Sequence, residues 1–135
     1  MPFSTKAFAA AIAECGKRLE QPGETFRAGV YVKTGPRPTL TTASTAAAMV
    51  GKVRTGYLVA TDRRVAFYPG SMMTNAPTDE PWFIDDRDRI TISDVVSPGL
   101  WGRFTYESPN AQITFNFHKN EGSNADAFLA LFEAS

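Results

Sequence analysis

The chain predicts a mainly β fold, an antiparallel sheet of about seven strands with a helix at either end. Three observations carry this. Tyr57–Ala60 and Val65–Tyr68 are two short β-prone runs around a polar Thr61-Asp62-Arg63-Arg64 break, the pattern of a hairpin. Further short runs with period-two alternation follow at close spacing, each ended by Pro, Gly, Asn or Ser. Helical periodicity with a usable apolar face is confined to the two ends of the chain.

In chain order, Phe8, Ile12, Cys15 and Leu19 fall at i, i+4, i+7 and i+11, while Lys6, Glu14, Lys17 and Arg18 lie off that line. This is an amphipathic helix over roughly residues 4–19, with Ser4 as N-cap and Gln21-Pro22-Gly23 as its stop. Its stripe is narrow, so it should lie on the surface of another layer. Phe26, Ala28, Val30 and Val32 alternate with Arg27, Gly29, Tyr31 and Lys33, which reads as a half-buried strand ended by Gly35-Pro36-Arg37-Pro38. Residues 39–53 are rich in Thr and Ala and have no strand pattern; 44–50 fits one or two helical turns ended by Gly51. A connection that long is functional or mobile.

The hairpin strands follow at about 55–61 and 64–68, with Asp62 expected to hold the turn through its own side chain. A second long loop, 69–81, contains Pro69, Gly70, Pro77, Pro81 and Met72-Met73. Trp82-Phe83-Ile84 is a short strand, and Ile90, Ile92 and Val95-Val96 form another with an irregularity near Asp94. After a turn at Pro98-Gly99, Phe104 and Tyr106 pair in pattern with Ile113, Phe115 and Phe117 across Ser108-Pro109-Asn110. Ser123 as N-cap, with Asp126 as its capping-box partner, opens a last helix whose apolar face is Ala125, Phe128, Leu129 and Phe132. That face must cover something apolar, and the open end of a curved sheet supplies it. Closely spaced hairpin strands argue for an antiparallel barrel or sandwich.

A length of 135 residues fits one domain, with a helix in residues 1–22 ahead of a unit spanning 24–134. No apolar run approaches the roughly 18–20 residues of a membrane span, and Glu14 interrupts the alanine-rich stretch after Lys6, so no signal peptide is expected. A single cysteine, Cys15, excludes an internal disulfide and fits a reducing compartment, by default the cytoplasm. The chain is neutral overall but divided: residues 1–75 hold ten Lys/Arg against four Asp/Glu, net +6, and residues 76–135 the reverse, net −6. Such a chain either presents a two-signed surface that steers an anion or mixes its charges when the halves interleave. The dense basic footprint that nucleic acid requires is absent.

Catalysis finds little support. His118 ends a strand on the side opposite Ile113, Phe115 and Phe117 and should face solvent. Nothing marks the orienting acid and oxyanion hole that a Ser–His–Asp site needs. Cys15, on an apolar stripe, reads as a small buried hydrophobe. Asp85-Asp86-Arg87-Asp88-Arg89 invites a metal reading, but the interleaved arginines oppose a divalent ion, and the run reads as a solvated loop with local ion pairs. No metal and no cofactor is therefore expected. Arg64 is expected to pair with Asp62 or Asp94. Lys33 closes the first strand and Lys52 and Arg54 open the second, so if those strands are neighbours the cations share one rim, either as an anion site or as a plain solvated edge. Leu100-Trp101, beside Pro98-Gly99, is either a partner or membrane anchor or folds back on the core.

The run Tyr57–Tyr68, and Thr61-Asp62-Arg63-Arg64-Val65 within it, resembles the second hairpin of bacterial pleckstrin-homology-like domains, relatives of GRAM domains. The resemblance covers roughly residues 24–134. It implies a pleckstrin-homology-like antiparallel barrel with a C-terminal capping helix, to which the N-terminal helix and the long first loop are additions. Lys33, Lys52 and Arg54 look like the loose Lys-x(n)-Lys/Arg-x-Arg pattern by which some pleckstrin-homology domains grip phosphoinositide headgroups. The expectation is a noncatalytic module for a protein or peptide partner, engaged through Leu100 and Trp101 or an open sheet edge. The alternative is an anionic-lipid or phosphate-ligand module using Lys33, Lys52 and Arg54, and a small enzyme comes third.

Overall fold

The computed structural model describes residues 5–34, 55–70, 76–96 and 101–132. Ser4, the 44–50 turns, Met72-Met73 and Pro98-Gly99 lie outside the described residues, as do Lys52, Arg54 and Leu100. The elements run α1 (Thr5–Leu19), β1 (Phe26–Thr34), β2 (Thr55–Thr61), β3 (Arg64–Pro69), β4 (Phe83–Asp86), a 3-10 turn (Arg87–Arg89), β5 (Thr91–Val96), β6 (Trp101–Glu107), β7 (Gln112–His118), a second 3-10 turn (Lys119–Glu121) and α2 (Gly122–Ala130). The seven strands form one antiparallel sheet in the order β4-β3-β2-β1-β7-β6-β5. The sheet is open: among the described residues β4 and β5 stand at its two edges and do not pair, so the expected barrel closure is not formed by strand pairing.

Register decides what each face buries. Leu58 lies opposite Val30 and Phe67, Phe104 opposite Phe115, and Tyr106 opposite Ile113. These side chains meet on one face with Phe83, Phe117 and, from α2, Ala125 and the fully buried Phe128. The Phe128 ring stacks on Phe104 with centroids 5.9 Å apart. Alternation sends Tyr31, Tyr57, Val59, Ala66 and Tyr68 to the other face. There the α1 stripe covers them: Phe8, Ile12, Cys15 and Leu19 are all buried in a second cluster. The predicted half-buried first strand is therefore buried on both faces, because the amphipathic helix lands on its polar-looking side. Gly29 permits the approach, since a Cβ there would sit 2.5 Å from Ile12 Cγ2.

Two local details differ from the pattern in instructive ways. β5 carries a register shift between Ser93 and Val96, with Asp94 at φ 51°, which is the expected irregularity. The last helix starts at Gly122, so Ser123 is inside its first turn and Glu121 takes the N-cap position without capping it. The buried Glu121 carboxylate accepts instead from the Tyr31 N–H at 2.9 Å. β1 pairs with β7 at Lys33 and Thr34 among the described residues, and at Tyr31 the Glu121 carboxylate takes the N–H instead. A buried N–H needs an acceptor, and Glu121 is the one it has.

Candidate binding cleft and sheet edge

The β2–β3 turn is built by Thr61, whose Oγ1 accepts from the backbone N–H of Arg63 (3.1 Å) and Arg64 (3.0 Å). Asp62 does not hold the turn as expected. Its Oδ1 accepts from Thr25 N at 3.1 Å and its N–H donates to Thr25 O at 3.0 Å, which ties the segment before β1 to the turn. Arg64 likewise pairs with neither Asp62 nor Asp94. Its guanidinium donates to both oxygens of Glu24, at 2.9 Å each, and to Leu19 O at 2.5 Å. This fork joins the end of α1, the following loop and the hairpin. The Arg64 guanidinium beside it holds the Glu24 carboxyl well below its ordinary range, at about 2.

Beside this turn lies an open cleft of about 630 Å³. It is lined by Asp62 and Arg63 of the turn, by Asp86, Arg87 and Asp88, and by Ile90, Leu131 and Phe132. The acidic-basic run is the expected solvated segment only in part, since Asp86, Asp88 and Arg89 are exposed while Asp85 and Arg87 are engaged by the fold. Asp85 is buried and accepts from Tyr106 Oη and from Asn110 Nδ2, each at 2.6 Å. Arg87 donates to Thr61 O at 3.3 Å and Leu131 O at 2.8 Å, and its guanidinium carbon lies 5.6 Å from the centroid of the Phe132 ring. Asp86, Asp88 and Arg63 are exposed. None of these three takes part in an ion pair among the described residues, where the ion pairs are Arg18–Glu14 and Arg64–Glu24. The cleft mixes the two oppositely charged halves of the sequence, so the charges interleave here. No group of His, Cys, Asp or Glu among the described residues is arranged to hold a metal ion.

The residue after Ile90 begins β5, an edge strand whose one neighbour among the described residues is β6. Val95 (51% exposed) and Val96 (38%) are on this strand, and with Ile84 (39%) of the opposite edge they are the exposed large apolar residues among those described.

Lys33 is exposed at the end of β1, where it pairs in register with Thr55 of β2 and Asn116 of β7. Strands one and two are thus neighbours, as the shared-rim argument required; Lys52 and Arg54 lie outside the described residues. Trp101 opens β6 opposite His118. His118 is half-buried, and its Nδ1 accepts from Asn120 N at 3.1 Å, which closes the 3-10 turn after β7. Cys15 is fully buried, and burial pushes its thiol up to about 12, far from nucleophilic. Sequence reasoning missed the roles of Glu24, Glu121 and Asp85, whose partners lie 40, 90 and 21 residues away along the chain.

No family model matches the chain, and no curated protein matches it. Among solved structures it is similar to the crystal structure of the C-terminal domain of an unknown protein from Leishmania infantum, with 13% identity, a TM-score of 0.52, and coverage of 95% of this chain and 96% of that one. At that identity the likeness concerns the fold alone. No helix among the described residues is long and apolar enough to cross a membrane.

Proposed function

We propose that this chain is a noncatalytic binding module of the pleckstrin-homology-like, GRAM-related type, which takes a protein or peptide partner as an added strand on the edge of β5. The exposed edge carries the reading: among the described residues β5 has one strand neighbour, and Val95 and Val96 stand exposed on it. An edge strand offers unpaired backbone groups to an extended peptide, and neighbouring apolar side chains add selectivity. The family part rests on the hairpin resemblance, on the β1-to-β4 and β5-to-β7 meanders, and on the helix that packs Phe128 into the main cluster. The single, buried Cys15 supports a reducing, cytoplasmic setting.

The alternative, an anionic-lipid or phosphate ligand on Lys33, Lys52 and Arg54, draws support from the Lys33–Thr55 pairing, which brings the end of β1 beside the start of β2. One experiment separates the two readings. Peptides selected from a displayed random library on the folded protein should lose binding to Val95→Asp/Val96→Asp while its melting temperature stays unchanged. Selection that yields no such peptide, together with salt-sensitive recruitment to anionic liposomes that Lys52→Glu/Arg54→Glu abolishes, overturns the peptide reading in favour of the lipid one.

A further inference from the structure

The cleft and the β5 edge are continuous. Ile90 lines the cleft and Thr91 begins the strand, so a peptide laid along β5 runs into the cleft at the strand's N-terminal end. Three carboxylates, Asp62, Asp86 and Asp88, and two guanidinium groups, Arg63 and Arg87, line the cleft. Arg87 is committed to two backbone carbonyls and to the Phe132 ring. Asp86 and Asp88 are exposed and form no ion pair among the described residues, and although Asp86 lies opposite Arg64 in register, that guanidinium is taken by Glu24, so the lining has one more carboxylate than guanidinium groups. Ile90, Leu131 and Phe132 offer apolar surface suited to the methylene stem of a long side chain. The Arg87–Phe132 contact shows that a flat cation packs against this lining.

We propose that the cleft seats a basic side chain, Lys or Arg, of the extended partner that β5 takes on its edge. The idea rests on the edge-binding reading above and adds a specificity to it. An anion is disfavoured by the three carboxylates, and a purely apolar residue would strip water from Asp86 and Asp88 with no partner in return. Every strand pair in the sheet is antiparallel, and an added strand continuing that pattern runs opposite to β5. Its C-terminal end then reaches the cleft. Ile90 and Val95 are five positions apart in the sequence, a strand length of about 17 Å. The extra residue of the bulge at Asp94 shortens the opposite count by one. The partner segment therefore reads as an apolar pair followed, about four or five residues later, by a basic residue.

The test uses fluorescent decapeptides carrying a Val-Val pair and, four or five positions on, Lys, Glu or norleucine, plus the Lys peptide with its order reversed. Binding to the whole chain is read by anisotropy at low and physiological salt. The Lys peptide should bind at least about tenfold more tightly than the Glu peptide, a ratio of the size one charged contact gives. That preference should shrink with salt, and Asp86→Asn/Asp88→Asn should abolish it. Equal binding of Lys, Glu and norleucine peptides that remains sensitive to Val95→Asp/Val96→Asp overturns the cleft proposal and leaves the edge reading standing. A Lys preference that depends on Asp86 and Asp88 but ignores Val95→Asp/Val96→Asp keeps the cleft and removes the edge. Tighter binding of the reversed peptide overturns the antiparallel arrangement, and failure of the whole panel to bind overturns both.

Discussion

The two helices cover opposite faces of one sheet, α1 over β1 and β2 and α2 over β1 and β7, but they belong to the molecule in different ways. α2 contributes Ala125 and Phe128 to the large cluster that β6 and β7 also build, so its aromatic rings are continuous with the main core. α1 contributes four buried residues to a separate layer, where Phe8 stacks on Tyr31 with centroids 4.0 Å apart. It is held at its C-terminal end by the Glu24–Arg64 fork. One helix is part of the core and the other is a cover fastened by a polar clamp. Stability should therefore be lost cooperatively at α2 and locally at α1.

The largest effect expected from this contrast is at Phe128. Phe128→Ala opens a cavity beneath Phe104 and should cost about 3–5 kcal/mol, lowering the midpoint of denaturant unfolding by fluorescence and by circular dichroism alike. If the two probes separate, with the sheet signal surviving the loss of the helix, α2 is a cover as well and the contrast fails.

The clamp comes next. Arg64→Met leaves the buried Glu24 carboxylate without its guanidinium, though still accepting from Gln21 N and Thr61 Oγ1, and should cost about 1.5–3 kcal/mol, the size of a hydrogen bond to a charged group. Hydrogen exchange should show the loss concentrated in α1, with β6 and β7 still protected. The same clamp gives a pH dependence. Because the Glu24 carboxyl is held at about 2 in the fold against an ordinary 4.5, its contribution is complete above pH 4.5 and is lost as pH falls toward 2. Glu24→Gln should flatten the stability profile over that window. An unchanged acid transition would show that other carboxylates govern it.

A third change probes how closely α1 must approach. Gly29→Ala forces a methyl group into Ile12 and Val59, and overpacking of this kind costs about 1–3 kcal/mol. The outcome that sharpens the contrast is faster exchange in α1 with an intact main core. Uniform loss across the sheet would mean that the two layers are one unit.

These features were unequally legible in the sequence. Short-range patterns carried well: the α1 stripe, the 55–68 hairpin, the Phe104–Phe115 pairing and the irregularity at Asp94 all follow from periodicities of 3.6 or 2 and from turn residues. Closure did not carry, because whether β4 and β5 meet depends on accumulated twist, which no local pattern records. Nor did the burial of the second face of β1, where Gly29 and Tyr31 look like the polar side of an alternating strand until α1 is placed on them. The cleft was illegible for the same reason. Asp62, Asp86 and Phe132 are distant in sequence, and only the meander and the return of α2 bring them together. Asp85 and Arg87 were read with their sequence neighbours when their partners are Tyr106, Asn110, Thr61 and Leu131.

The smallest expected effect lies at the edge that belongs to neither layer. Val95 and Val96 are exposed and fall outside both buried clusters, so Val95→Lys/Val96→Lys removes no packing that either helix depends on. Substitutions of this type usually stay within about 0.5 kcal/mol. Lysine on an edge strand also opposes strand addition by another chain, because its charge would have to be desolvated in the new pair. The double variant should therefore melt with the wild type while losing whatever extended ligand the edge accepts. Thermal unfolding checks the first half of this, and light scattering of concentrated protein checks whether the wild-type edge also attracts its own copies. A destabilisation of about 2 kcal/mol or more, beyond the range of surface changes, would mean that β5 is covered in solution and is not the free edge on which partner binding depends.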